Sequence, residues 1–307
     1  MGSKDLIRNS ADKTYYLFHK TMAWMLVALF FAMIFVIAKM SWPIFQRDGL
    51  AFITGRNWLP AQKVYGALPF IYGTVVTSFL SLLIAVPISI SVALFITDMA
   101  PPKIGKVVGF FVEMLAAIPS VVYGMWGLFV LVPFLRTFVQ PFLNTYVTWV
   151  PMLNGPPFGL GMMTAAIVLS IMITPTITAI CREVFATVPQ IQKDAARGLG
   201  ANRWEVLSLS VLRGSLPGMI GATILGLGRA MGETMAVTMV IGNVPRISAQ
   251  LFEPAQTMAS LLANQYAEAD GEIHIAALTG VGLMLFVVAL VVNLFARLIV
   301  WRVRSQQ

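Results

Sequence analysis

The sequence predicts an all-α integral membrane protein with six transmembrane helices, and three observations carry that prediction. Of 307 residues 58% are hydrophobic and 11% charged, whereas soluble globular chains run at about 45–50% and about 25%. Uncharged apolar stretches repeatedly reach the about 20 residues that cross a hydrocarbon core, where a soluble chain would alternate apolar and polar positions. The lysines and arginines, finally, fall unevenly between the connections that join those stretches.

The first span, 21–40, follows about twenty polar residues. No small-x-small cleavage site comes after it, so it is expected to remain as a helix and not to be removed as a signal peptide. The next spans are expected at 70–97, 107–135, 159–181, 214–244 and 273–296. Glu113 interrupts the third and Arg229 and Glu233 the fifth, while Pro87, Pro119, Pro175 and Pro217 fall inside four of them. Proline removes a backbone donor and clashes with the preceding turn, so kinked or broken helices are expected there.

Basic residues stay on the cytoplasmic side of a membrane. Lys4, Arg8, Lys13 and Lys20 precede the first span, Lys103 and Lys106 follow the second, Arg182, Lys193, Arg197, Arg203 and Arg213 follow the fourth, and Arg297, Arg302 and Arg304 end the chain. These are 14 of the 21 lysines and arginines, against Arg47, Arg56, Lys63, Arg136 and Arg246 in the alternate loops. Both termini are therefore expected in the cytoplasm. The outer loop before the last span, with Glu253, Glu268, Asp270 and Glu272 against Arg246, reads as acidic and long enough to dock a partner.

The same residues exclude other classes. Cys181 is the sole cysteine and His19 and His274 the only histidines, which rules out a disulfide within the chain and leaves no set of metal ligands. The +8 net charge is mostly a topology signal, and no lysine and arginine run interleaved with aromatics suggests nucleic acid. Trp42, Trp58, Trp149 and Trp301 fall near the ends of the expected spans and read as interface anchors. The 18 methionines and 20 phenylalanines read as packing and lipid contact. No G-x-x-x-x-G-K-[ST] phosphate loop occurs, so the chain lacks that means of splitting ATP and any pumping energy comes from a partner.

Between the fourth and fifth spans lies the polar stretch TVPQIQKDAARGLGANRWEV. Thr187 with Gln190, and Pro189 in the first turn, predict a capped helix start. Gly198 and Gly200 offer a stop, and Asn202 with Glu205 a second capping box. Ile191, Ala195 and Leu199 recur every four residues along the short helix, with Gln190, Lys193, Asp194 and Arg197 elsewhere around it. Pattern alone leaves two readings open, a connector lying on the lipid surface or a docking helix. Asp194-Ala195-Ala196, three residues and then Gly200 resembles the EAA loop of type I ABC importer permeases, in which a short coupling helix fits a groove on the ATPase. Here Asp194 stands for the family's glutamate, Arg213 occupies its later proline position, and Leu216-Pro217 follows one turn on. The resemblance assigns coupling to the hairpin 187–202, through Ile191, Asp194, Ala195, Ala196, Leu199 and Gly200.

The fifth stretch, GLGRAMGETMAV, places Arg229 and Glu233 four residues apart in an apolar run. A charge in mid-bilayer is costly and by default marks a substrate path. The competing reading is a structural ion pair on one helical face, although such pairs seldom stabilise more than apolar residues of equal volume. Gly221, Gly226, Gly228 and Gly232 strip side chains from this helix, which lets another helix or a hydrated cavity come close. A guanidinium offers a rigid fork suited to an anion with several oxygens. Glu113 is a further candidate for the path, with snorkelling to the inner interface as its alternative. Thr174, Thr176 and Thr178 read as partners for backbone groups freed by Pro175.

GLGRAMGETMAVTMVIGN, EMLAAIPSVVYGMWGL and SLLANQYAEAD together resemble the PstC family of permeases from bacterial phosphate-specific ABC importers, the likeness running from about residue 70 to 297. The resemblance implies a type I ABC importer permease fold: a cytoplasmic tail 1–20, a first helix and outer loop 21–69, a permease core 70–297 and a tail 298–307. It implies a bacterial inner membrane subunit that is not itself an enzyme, paired with a sister permease PstA, two copies of an ATPase PstB and a periplasmic phosphate-binding protein PstS. ATP and magnesium would sit on the ATPase, with no cofactor in this chain, and Arg229 and Glu233 would serve phosphate passage. Two further readings remain, a permease of this fold for sulfate, molybdate or an amino acid, and an autonomous anion carrier, for which inverted repeats between the halves are wanting.

Overall fold

The structure is a computed structural model that describes residues 10–304. Lys4 and Arg8 lie outside the described residues, as does the side chain of Trp301. Six helices among the described residues are long and apolar enough to cross a membrane. They belong to α1 (Ser10–Asp48), α3 (Leu68–Met99), α5 (Ser120–Tyr146), α6 (Met162–Ala186), α8 (Arg203–Gly232) and α11 (Glu272–Arg304). Between them lie α2 (Leu50–Thr54), α4 (Pro102–Ala117), α7 (Gln190–Gly198), α9 (Met235–Val240) and α10 (Met258–Gln265). A two-stranded antiparallel ribbon joins β1 (Trp58–Leu59) to β2 (Val64–Tyr65).

α6 is the axis of the bundle, with two thirds of its most apolar window covered by other helices against about a third or less in every other span. It packs along α3 on one flank and α8 on another, while α1 lies outside against α11. Close approach needs small residues, and Gly226 supplies one: a β-carbon there would come within 2.6 Å of Ile177 on α6. The apolar core divides into three clusters. One sits beneath the end of α5 around Leu169 and Val240, one under α2 and the ribbon around Phe52 and Phe70, and one near the hairpin around Ile177 and Phe185.

The third and fifth spans differ from expectation. The stretch 107–135 is two helices, α4 and α5, separated at Ile118 and Pro119 in extended conformation. Proline disfavours helical geometry in the residue before it, so the apolar run breaks where it might have continued. The span in this region is α5, and α4 carries Glu113 outside it. In the fifth, α8 ends at Gly232, Glu233 is extended, and the short α9 resumes at Met235.

Two other readings are corrected. Trp58 is no interface anchor: it is 5% exposed and its Nε1 donates to Gln265 Oε1 at 2.9 Å, while Trp42 and Trp149 are exposed as expected. The outer loop before α11 is not free along its length. Leu251, Phe252 and Ala255 are buried, Glu253 lies against Arg246 at 3.5 Å, and the exposed acidic part is confined to Glu268, Asp270 and Glu272.

Candidate functional site

Arg229 lies in the last turn of α8. The competing reading, an ion pair with Glu233, is not met: the helix ends at Gly232, between the two residues, and no ion pair joins them. Arg229 Nη1 instead donates to Thr176 Oγ1 of α6 at 2.9 Å, and that is the one bond the guanidinium makes among the described residues. The residue is otherwise exposed, so its remaining donors have no partner within the described residues. Thr176 is fourteen residues from the start of α6 and ten from its end, or roughly 21 and 15 Å at about 1.5 Å per residue. The guanidinium is therefore held near the middle depth of the central helix. Tyr123 of α5 lies within electrostatic reach of it, with its hydroxyl donating to the Leu115 carbonyl at 2.8 Å.

Glu233 sits just ahead of α9, where one carboxylate oxygen accepts from the Ala236 amide at 3.5 Å. Each charge thus faces a helix end of opposite sign, the arginine a carboxyl end and the glutamate an amino end. The broken helix exposes backbone at membrane depth, which is tolerated where it is covered by protein or lines a water-filled space. Of the four glycines, Gly226 alone meets a neighbour, whereas a β-carbon at Gly221, Gly228 or Gly232 would touch nothing within 4 Å. Gly228 lines a cleft bounded by Phe30 of α1 and Phe286 and Leu290 of α11, and Gly232 is exposed.

At one end of the bundle α7 packs by one face against the end of α3 and the start of α8. Its start differs from expectation: Thr187 caps nothing ahead of it but donates to the Val184 carbonyl at 2.7 Å, closing α6, and Pro189 opens α7 without a side-chain cap. The second capping box is present, with Asn202 Oδ1 accepting from the Glu205 amide at 3.0 Å and Glu205 accepting from the Asn202 amide at 2.7 Å. Gly200 takes the left-handed conformation, φ +87°, that the turn between α7 and α8 requires.

The faces of α7 are inverted relative to a helix on a protein core. Ile191 is 77% and Leu199 90% exposed, while Lys193 is buried and pairs with Asp98 at the end of α3. Arg203 reinforces that joint by donating to the carbonyls of Asp98 at 3.1 Å and Met99 at 2.8 Å. Asp194 stays on the outer side, held by Arg197 at 2.7 Å and Gln190 at 3.3 Å, beside exposed Ala195 and half-covered Ala196. Glu113 accepts from Arg182 Nη2 at 2.7 Å near the hairpin end of α6, which places it beside α6 and away from Arg229. Asp98 is a participant that sequence reasoning did not name, while Thr176, read there as a partner of the proline region, bonds Arg229, and Lys193 and Arg203, read there as polar-face and topology residues, form the joint with Asp98.

Residues 85–305 match the family described as binding-protein-dependent transport system inner membrane component. The chain belongs to that family. This binding-protein-dependent transport component is 45% identical over 270 residues to the phosphate transport system permease protein PstC of Mesorhizobium japonicum, covering 87% of this chain and 83% of the relative. It is 43% identical to the protein of that name in Pasteurella multocida, covering 95% and 93%. A probable phosphate transport system permease protein PstC of Methanocaldococcus jannaschii is 38% identical, covering 82% of each chain. Among solved structures, a bacterial alginate ABC transporter in complex with a pentasaccharide-bound periplasmic protein superposes with TM-score 0.61 at 22% identity, covering 95% and 94%. An inward-facing MetNI methionine ABC transporter gives 0.59 at 17%, covering 80% of this chain and 99% of the other. The fold is that of a type I ABC importer permease, and the protein is a multi-pass inner membrane component.

Proposed function

We propose that this chain is the transmembrane subunit forming half of the path of an ATP-driven inorganic phosphate importer. The observation that carries the reading is Arg229, an exposed guanidinium held near middle depth by one hydrogen bond, with its other donors unpaired among the described residues. A fork of that kind suits a tetrahedral oxyanion, and the relatives at 38–45% identity are named for phosphate. A sister permease of the PstA kind covers Arg229. Two copies of a PstB-type ATPase, which bind ATP and magnesium, grip α7 through Ile191, Ala195 and Leu199, and a PstS-type binding protein delivers phosphate at the opposite end. Both termini and the hairpin lie in the cytoplasm. Hydrolysis moves α7, and the joint of Lys193, Arg203 and Asp98 passes that motion to α3.

The test is uptake of labelled phosphate by the complete importer, with sulfate and arsenate as competitors. Arg229→Ala is expected to lower uptake at least about 100-fold, the worth of about two charge-assisted hydrogen bonds, with assembly intact. Wild-type uptake by that variant removes Arg229 from the path, and competition by sulfate in preference to arsenate reassigns the cargo to another oxyanion.

A further inference from the structure

Pro175 lies inside α6, and hydroxyls on either side of it bond backbone carbonyls. Thr174 Oγ1 donates to the Ser170 carbonyl at 2.7 Å, Thr178 Oγ1 to the Ser89 carbonyl of α3 at 3.4 Å, and Ser89 Oγ returns to the Thr174 carbonyl at 3.2 Å. These three hydroxyls are taken up by carbonyls of α6 and α3. Thr176 is not among them. At about 100° per residue, Thr174 and Thr178 lie about 40° apart and Thr176 about 160° from either, so it alone of the three turns towards α8. There its oxygen accepts from Arg229 Nη1.

We infer that Thr176 is a positioning residue of the anion path, one that pins the guanidinium by Nη1 and thereby presents the Nε and Nη2 edge to the oxygens of the passing phosphate. The inference rests on the reading of Arg229 given above. A guanidinium has two paired edges, and committing Nη1 selects which of them meets the anion. Threonine suits the task because a β-branched side chain has few χ1 rotamers, so its oxygen is a fixed point. Arginine loses considerable rotamer freedom when it is held still, and a contact made before the anion arrives leaves less of that loss to the transport step. The spacing is set one turn away, where Gly226 brings α8 against Ile177, the residue next to Thr176.

The experiment uses the complete importer in liposomes, measuring labelled phosphate taken up per ATP hydrolysed. Thr176→Val keeps the shape and removes the acceptor, and phosphate per ATP is expected to fall about tenfold, the loss of one charge-assisted hydrogen bond. Thr176→Ser restores the hydroxyl and is expected within about twofold of wild type. In an Arg229→Lys background, where the fork is already gone, adding Thr176→Val is expected to cause no further loss. Wild-type coupling in T176V while R229A is inactive overturns the inference, and so does equal impairment of T176V and T176S, which marks a role in packing alone. Should T176V not assemble, T176A against T176S reads the same contrast. Wild-type uptake in R229A brings down the reading of Arg229 itself, a result separate from any of these.

Discussion

At the scale of single residues, the two charged pairs near α7 and α8 divide by what surrounds them. Lys193 and Asp98 are enclosed, with side chains 9% and 12% exposed, so removing one partner leaves the other charge buried and alone, at a cost on the order of 3 kcal/mol. Lys193→Met is expected to release α7 from the end of α3, read as faster amide exchange over 190–198 with the spans unchanged. Unchanged exchange would mean that Arg203 holds the joint by itself. Arg197 and Asp194 are more than half exposed, and water screens such a pair to little effect. The glycines of α8 divide in the same way. Gly226→Ala drives a β-carbon to 2.6 Å from the buried Ile177 and is expected to lower stability by about 1–3 kcal/mol, less the gain of about 1 kcal/mol in helix propensity. Gly228→Ala meets nothing within 4 Å and keeps that gain, so thermal unfolding of the purified protein in detergent should rank the two variants on opposite sides of wild type.

At the scale of elements, α7 shows why a short amphipathic helix can have its apolar residues outside. A helix of nine residues is barely stable in isolation, and here Lys193 and Arg203 tether it from its polar side, which leaves Ile191 and Leu199 bare for a partner. Leu199→Asp is expected to leave the permease folded, because that side chain is 90% exposed, and to reduce co-purification of the ATPase at least about tenfold. Full co-purification would make α7 a simple connector. The sequence showed this hairpin through local chemistry: Asn202 and Glu205 announce a start and Gly200 a turn, each within three residues of its effect. It could not show the Lys193 tether, since Asp98 is ninety-five positions away and no periodicity links them. Thr187 misled for a related reason. A capping residue serves whichever helix end lies nearer, and here α6 closes on it before α7 begins. Thr176 was hidden by its neighbours, because the threonines two positions to either side of it do bond backbone carbonyls and composition cannot tell the third apart.

At the scale of the whole molecule, six spans were legible because bilayer thickness sets their length, and the departures arise where hydropathy is blind to backbone geometry. Residues 107–117 are as apolar as a span, and only the pairing of Ile118 with Pro119 divides α4 from α5. Gly232 and Glu233 divide α8 from α9 with no proline to mark it. That second break parts Arg229 from Glu233 and leaves two separate charges where an intact helix would have allowed an ion pair. An exposed cation near middle depth is a poor surface to present to lipid, so half a path requires its other half. Cysteine placed at Gly232 tests this, since a β-carbon there has no neighbour within 4 Å in the chain and the native thiol, Cys181, is buried and contributes little background. In the isolated chain in detergent, Gly232→Cys is expected to react readily with a water-soluble maleimide. In the assembled importer the rate should fall at least about tenfold as the second permease closes over α8, and should rise again when nucleotide opens the path to water. Equal labelling of chain and complex would place the second permease on another face of the bundle and leave Arg229 facing the lipid.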